Sequence, residues 1–339
     1  MILYIGNKLT KHGNTPTSVE TLGKLLSKDF EIVLKSDKKN KLLRLIDMLF
    51  SIIKYRKKTK FLLIDTYSTS NFYFASLCAL LASFLKVKYI PILHGGNLVN
   101  RLENSLFLSR LIFSNAYINI APSNYLFQAF NSNYKVKYIP NNIEISNYKY
   151  KKREVLEPKL LYVRAFSKIY NPQMALYVLK KLVNKYPSAK LCMVGPDRDG
   201  TFEEVQELSK TLKLSNNIIF KGKMKKEEWW KLSREYDIFI NTTNFDNTPV
   251  SVMEAMALGL PIISTNVGGI PYLLNDGKDS LLVNKNDIDG MYEKINEILD
   301  DNRKALVLSN NARRKVESFD WENVKKTWHS LLNGETNVK

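Results

Sequence analysis

Two carboxylates and two cations are spaced for work on a charged ligand rich in hydroxyls. Asp246 and Glu254 flank the stretch Thr248-Pro249-Val250. Pro249 suits the first turn of a helix, where a missing N–H costs nothing. The free N–H groups and dipole of a helix start therefore fall between the two carboxylates, and such a start takes an anion. A carboxylate beside an anion site serves better as an acceptor for the hydroxyls of a ribose or a sugar. Arg164 follows the apolar run Leu160 to Val163, with Lys168 four residues on. Two cations off one strand end make a diphosphate clamp, neutralising charge as it builds on a leaving group; the alternative is two solvated surface cations. His94-Gly95-Gly96 closes the run Lys88 to Leu93. A His at the carboxyl end of a parallel strand sits at the crevice of an open α/β sheet, although a lone His is more often structural. Phosphate donors together with a hydroxyl acceptor describe a nucleotide-sugar pocket.

These groups need a strand-to-loop-to-helix frame, and residues 237–274 supply one. Ile238 to Ile240 form a short apolar run, as in a strand buried on both faces. A polar loop to Thr248 follows, then a helix with Val252, Met253, Ala255, Met256 and Leu258 on its apolar side. Gly259 ends it and Pro261 prevents its return. Ile262 and Ile263 start the next strand, and Val267-Gly268-Gly269 turns tightly after it. Further strands are expected at Met1 to Ile5, Phe30 to Leu34, Phe61 to Ile64, Tyr117 to Ala121 and Leu191 to Val194. Thr17 or Ser18 with Glu20 starts a helix, as does Pro122-Ser123-Asn124. Lys41 to Ile53 is an amphipathic helix with Leu42, Leu45, Ile46, Leu49, Phe50 and Ile53 on one side. The cations Lys54, Arg56, Lys57, Lys58 and Lys60 follow it. Basic flanks on an apolar helix suit a membrane interface. They equally suit a core helix with a solvated end, and the strand that follows at once, as in a βαβ unit, favours the core.

The stretch Glu254-Ala255-Met256-Ala257-Leu258-Gly259-Leu260-Pro261-Ile262-Ile263, with Val267-Gly268-Gly269-Ile270-Pro271 after it, resembles the donor-binding segment of the family-four retaining glycosyltransferases. Asp246 stands where that family has a Glu, one methylene shorter, and Asn247 where it has Gly. The resemblance covers nearly the whole chain and is strongest from residue 160 on. It implies the GT-B fold: two facing Rossmann-like, doubly wound α/β domains with a central cleft. It implies that Glu254 accepts from the ribose hydroxyls, that Asp246 contacts the donor sugar, and that His94-Gly95 faces that sugar. Arg164 and Lys168 would stabilise the diphosphate, helped by N–H groups near Thr248, Pro249 and Val250. Gly195 and the Lys221-Gly222-Lys223-Met224 loop would line the nucleotide, and the loop His12-Gly13-Asn14 would lie near the donor phosphates and the acceptor, a plain strand-to-helix loop being the alternative. Pro140-Asn141-Asn142-Ile143-Glu144 is similar to the family's close of its first domain, and Phe319-Asp320-Trp321-Glu322 to its closing motif. The expected domains are 1–150 and 159–316 around a charged linker, then a helix over 317–335 crossing back to the first.

The 339 residues suffice for two ordinary domains, and 45% apolar residues give each a full core. The net charge of +18 is uneven. Residues 1–150 hold 21 basic and 8 acidic residues, a net of +13; the remainder holds 30 and 25, a net of +5. A basic first half suggests an anionic partner, namely membrane lipid, acidic glycan or nucleic acid; solvated lysines are the plain alternative. The aromatics are not interleaved with the basic clusters, which speaks against nucleic acid. Cys78 and Cys192 lie in apolar runs and read as buried small hydrophobes. Asp197-Arg198-Asp199 has the look of a metal-binding pair but no further ligand cluster nearby, so it reads as a solvated turn. No metal or other cofactor is expected. No run spans a bilayer, so the expected location is cytoplasmic, with peripheral attachment to the inner membrane face for an acceptor in surface polysaccharide or lipopolysaccharide synthesis. Two rivals stay open: a nucleotide-sugar epimerase on the same fold, and a non-catalytic anion- or nucleic-acid-binding protein.

Overall fold

A computed structural model describes residues 1–13, 16–95 and 97–335. Asn14 and Gly96, from the two loops read above, lie outside the described residues. By compactness the chain divides into two units, Met1–Pro140 with residues from Lys325 on, and Asn141–Val324.

In the first unit six parallel strands, β1 (Ile2–Ile5), β2 (Ile32–Lys35), β3 (Phe61–Tyr67), β4 (Tyr89–His94), β5 (Asn119–Ala121) and β6 (Val136–Tyr138), lie in the order β2-β1-β3-β4-β5-β6. Between them run helices α1 (Ser18–Leu26), α2 (Lys41–Tyr55), α3 (Asn71–Phe84), α4 (Leu98–Asn104), α5 (Leu106–Phe113) and α6 (Asn124–Asn131). Local chemistry sets their starts. Thr17 and Glu20 close a capping box on α1, Asn40 caps α2, and the Ser123 hydroxyl accepts from Leu126 N at 3.2 Å on α6. The core is aliphatic and aromatic, with Leu3, Ile5, Leu62, Phe72 and Phe113 all sealed from solvent.

Helix α2 is the departure. The sequence reading placed Leu42, Ile46, Phe50 and Ile53 in the core, yet they are 65%, 52%, 60% and 43% exposed. Its buried positions are Arg44, Met48, Ser51 and Ile52. Polar contacts decide the orientation. Asp47 accepts from Ser36 Oγ at 2.6 Å and pairs with Lys35, while Arg44 donates to the carbonyls of Lys38 and Lys39 at 3.1 and 3.4 Å. The helix turns these groups inward to the end of β2. Each of these side chains, left about half outside, forgoes part of the roughly 1.5–3 kcal/mol that full burial is worth.

In the second unit β7 (Lys159–Val163), β8 (Lys190–Val194), β9 (Ile218–Gly222), β10 (Ile238–Asn241), β11 (Ile262–Thr265) and β12 (Leu281–Val283) pair in parallel in the order β12-β11-β10-β7-β8-β9. Helices α7 (Pro172–Lys185), α8 (Thr201–Thr211), α9 (Lys226–Leu232), α10 (Val250–Ala257), α11 (Ile270–Leu273), α12 (Ile288–Asp300) and α13 (Asn302–Glu317) intervene. This is the doubly wound dinucleotide-fold order, with its reversal between β7 and β10. Residues 141–150, read above as the end of the first domain, pack with this unit instead. Tyr148 is buried and bonds Glu254, and the Tyr150 hydroxyl donates to Asn310 Oδ1 at 2.6 Å. A final helix, α14 (Trp321–Asn333), ends among first-unit residues: the His329 ring meets Asp29 at 3.1 Å, and Lys60 donates to Asn333 O at 3.0 Å.

Candidate functional site

At the reversal between β7 and β10 the chain leaves in opposite directions, and a crevice opens at the strands' carboxyl ends. Arg164 steps off β7 and Asp246 lies in the loop after β10. The guanidinium Nη2 donates to Asp246 Oδ2, and the Tyr170 ring lies 4.3 Å from the guanidinium carbon. Burial pulls the Arg164 pKa down, but Asp246, Tyr170 and Tyr162 outweigh it, so the net shift is upward and the group stays charged. Its Nε is buried and donates to nothing. A buried unused donor on a cation is the kind of exception that marks a ligand position.

Glycines make this approach possible. A Cβ on Gly195 would stand 1.9 Å from the Arg164 carbonyl, while Gly195 N donates to Gly222 O at 2.8 Å. A Cβ on Gly269 would stand 2.0 Å from Asn247 O, and Gly269 N donates to Asp246 O at 2.8 Å. The Val267-Gly268-Gly269 turn thus holds the Asp246 loop by direct backbone contact. Helix α10 begins four residues after Asp246, with Pro249 as its cap residue and Thr248 half-buried ahead of it. Pro249 offers no N–H, and the N–H groups of Val252 and Met253 already donate to its carbonyl at 3.1 and 3.3 Å, so the donors left at this start are those of Thr248, Val250 and Ser251.

Lys168 does not converge with Arg164. Its side chain is 73% exposed and pairs with Glu204 at 3.5 Å. The turn that carries it is held by Asp199, which accepts from Ser167 Oγ at 2.7 Å and from Lys168 N at 3.2 Å. The Thr201 and Ser167 hydroxyls hold the Asp199 carboxyl down at about 2. Asp197 accepts from Gly200 N at 3.1 Å. Both aspartates are thus used to fix this turn, and among the described residues no group of three metal-ligating side chains occurs.

Glu254 lies on α10, 3% exposed. Its Oε1 accepts from the Tyr148 hydroxyl at 3.0 Å and from Lys226 Nζ at 2.7 Å. Burial raises its pKa, against the lowering effect of Lys226 and Tyr148. Burial, then Glu254, pushes the Tyr148 hydroxyl up as well. The Tyr148 ring lies 4.4 Å from that of Trp230, whose Nε1 is buried without a partner. Met224 packs against the same cluster. Tyr148 and Lys226 escape sequence reading because nothing in their local spacing ties them to a residue 106 positions away in one case and 28 in the other.

In the first unit His94 ends β4. Its Nε2 lies 2.8 Å from Asp65 Oδ1, and the same oxygen accepts from the Tyr4 hydroxyl at 2.8 Å. Asp65 Oδ2 accepts from Val19 N at the start of α1, at 3.2 Å. A carboxylate only accepts, so Nε2 carries the proton and Nδ1 is the nitrogen left for other work. Tyr67 stacks on the His94 ring at 4.7 Å. Asp65 is a site residue that the sequence reading missed. Its signal is a charged residue directly after the apolar run Phe61 to Ile64, within the same strand. Gly95 follows His94 with φ of +80°, and Gly13 closes the Thr10–His12 turn, whose His12 Nε2 meets Asp37 O at 2.9 Å.

A sequence model described as "Glycosyl transferases group 1" matches residues 146–315. The chain is 28% identical over 152 residues to the sulfoquinovosyl transferase SQD2 of Arabidopsis thaliana, covering 44% of this chain and 29% of that one. It spans under half the length of the first curated relatives it matches. The fold is that of the GT-B glycosyltransferases. It superposes on sucrose-phosphate synthase of Thermosynechococcus elongatus with a TM-score of 0.79, at 17% identity over 98% of both chains. It superposes equally on Anabaena HepE, solved with UDP-glucose, with a TM-score of 0.79 at 16% identity over 98% of this chain and 99% of that one.

Proposed function

The chain belongs to the group 1 glycosyl transferases, and on that footing we propose that it moves a sugar from a nucleotide-sugar to a hydroxyl of a glycan or lipid-linked acceptor, with retention at the anomeric carbon. The bond from that carbon to the diphosphate breaks and a bond to the acceptor oxygen forms. Negative charge grows on the leaving diphosphate, and the second unit supplies its counter-charge. Arg164 is a cation kept charged by its surroundings, and the start of α10 adds free N–H groups. Lys168 reaches the same phosphates by leaving Glu204, at small cost because both are exposed.

Glu254 accepts from the ribose hydroxyls, exchanging its contact with Lys226 for them. Trp230 Nε1, Met224 and Gly222 serve the nucleoside, and Asp246 serves the sugar. In the first unit His94, held by Asp65, offers Nδ1 to a sugar hydroxyl. The co-substrate is a nucleoside diphosphate sugar, and the counter-charge comes from the protein rather than from a metal. UDP-glucose in the HepE structure supports uridine diphosphate sugars as the first to try. Synthesis of a surface polysaccharide or lipopolysaccharide, with attachment to the inner membrane face, belongs to the same proposal.

The observation that carries it is Arg164: a partly exposed guanidinium with a buried, idle Nε at the reversal point of the sheet, beside a helix start. A thermal-shift screen of nucleoside diphosphate sugars tests it. One donor should raise the melting temperature of the wild type and not that of Arg164→Ala. If no donor shifts the wild type, the reading is wrong.

A further inference from the structure

The first unit has an apolar face that its own core does not use. On α2 the outward residues Leu42, Ile46, Phe50 and Ile53 recur at helical spacing and form one stripe. On α3 a second stripe runs through Tyr73, Leu77, Leu80 and Phe84, exposed by 50%, 44%, 50% and 81%. On α5 Leu106 and Phe107 add a third patch. Helix α3 packs between α2 and α5. The right-handed crossovers β2-α2-β3, β3-α3-β4 and β4-α5-β5 all run the same way across the sheet, which puts the three helices on one side of it. Their outward stripes therefore face the same direction. Isolated exposed leucines are ordinary, but adjoining stripes on neighbouring helices are a contiguous patch that asks for a partner.

Charge identifies the partner. Helix α3 has no ionisable side chain of either sign but Tyr73 and Cys78, and α5 has no carboxylate. The one carboxylate on α2, Asp47, is turned inward to Ser36. Cations stand at both ends of α2: Lys38 and Lys39 before it with Lys41 at its first position, and Lys54, Arg56, Lys57 and Lys58 at and beyond its last turn. At that second end a groove of about 620 Å³ is lined by Ile53, Lys54, Arg56, Lys57 and Lys58, with Glu31 also in its wall. A second copy docked face to face would set these like charges against one another. An anionic bilayer meets both parts of the pattern, taking the aliphatic and aromatic side chains below the headgroups and the cations at their phosphates. No helix among the described residues is long and apolar enough to cross a membrane, so the contact is from one side.

We propose that the outer face of α2, α3 and α5 is a docking surface for an anionic lipid bilayer, with the α2 cations on the headgroups. The proposal rests on the reading of the chain as a transferase that works at a membrane face, and it is tested apart from the transfer reaction. Protein is sedimented with phosphatidylglycerol-containing vesicles and with pure phosphatidylcholine vesicles across a salt series. Binding should require the anionic lipid and fall with salt. Phe50→Gln with Phe84→Gln should lower vesicle affinity roughly tenfold per side chain. Arg56→Gln, Lys57→Gln and Lys58→Gln together should lower it at least about tenfold and flatten the salt dependence. All of these side chains lie outside the core, so each variant should keep the wild-type melting temperature.

Equal binding to both vesicles, no binding to anionic ones, or an unchanged affinity in the Phe variant would overturn the proposal. So would concentration-dependent dimers that the Phe variant abolishes, which would assign the face to a second copy. Donor binding is measured on the same samples. A wild type that binds donor but no vesicle overturns the docking surface alone, whereas one that binds vesicles but no donor overturns the transferase reading alone.

Discussion

Glu254 is a carboxylate in surroundings that favour its protonated form, since burial raises its pKa above the usual 4.5. For such a group the folded state holds the proton more tightly than the unfolded one. Its contribution to stability is complete below the unfolded pKa and is lost as pH rises through the folded pKa. Replacing it with Gln removes that loss. We therefore expect Glu254→Gln, without ligand, to melt at or above the wild-type temperature at pH 7, with the difference shrinking toward pH 4.5. A steep loss of stability at pH 7 would show that the pairs with Lys226 and Tyr148 hold the fold rather than await a ligand. Donor affinity should move the other way, by roughly 1.5–3 kcal/mol per charge-assisted hydrogen bond lost. Asp65 matters through its hydrogen bonds, since Tyr4, His94 and Val19 N all donate to it. Asp65→Asn keeps the shape but weakens these bonds, so chemical denaturation should report a loss of roughly 1.5–3 kcal/mol. Unchanged stability would show that the network is dispensable. Of these groups, Glu254 and His94 are legible in the sequence because motifs surround them. Tyr148 and Lys226 are not, because their partner is distant in the chain, and Asp65 shows only as a charge at the end of an apolar run.

The Gly269 turn shows what an element must do for a site. The backbone of Asn247 passes where a side chain on residue 269 would begin. Gly269→Ala should displace the Asp246 loop, lower the melting temperature and weaken donor binding together. An alanine variant with wild-type melting and binding would mean that the two loops are not coupled. The strands and the helix starts here follow from short apolar runs, Ser and Thr caps, and Gly and Pro punctuation, so they were legible to within a few residues: Leu160 to Val163 was expected and Lys159–Val163 is found. Helix α2 was legible in extent but not in orientation. Its pattern fixes an apolar stripe, but which side meets the sheet is decided by Asp47 and Arg44 reaching residues 35–39. Amphipathicity alone cannot tell a core face from a face meant for another apolar phase.

Across the whole molecule two sheets of six strands share an all-parallel plan but reverse at different places, between β1 and β3 in one and between β7 and β10 in the other. Each reversal carries its own polar constellation: Asp65 with Tyr4 and the start of α1 in the first, Arg164 with Asp246 in the second. The charge excess in residues 1–150 coincides with the unit that bears the exposed apolar helices, and the nearly balanced remainder with the unit that bears Arg164 and Glu254. Composition made that asymmetry visible; only burial separated a solvated basic surface from a basic rim around an apolar face. The most direct measurement is titration calorimetry of the donor selected by the thermal-shift screen, set beside its bare nucleoside, against wild type, Arg164→Ala and Lys168→Ala. Arg164→Ala should lose most of the affinity difference between donor and nucleoside while binding the nucleoside as before, and Lys168→Ala should lose less, because Lys168 starts exposed and paired with Glu204. An Arg164→Ala protein that binds the diphosphate donor as tightly as wild type would contradict the assignment of the second unit's crevice as the diphosphate site.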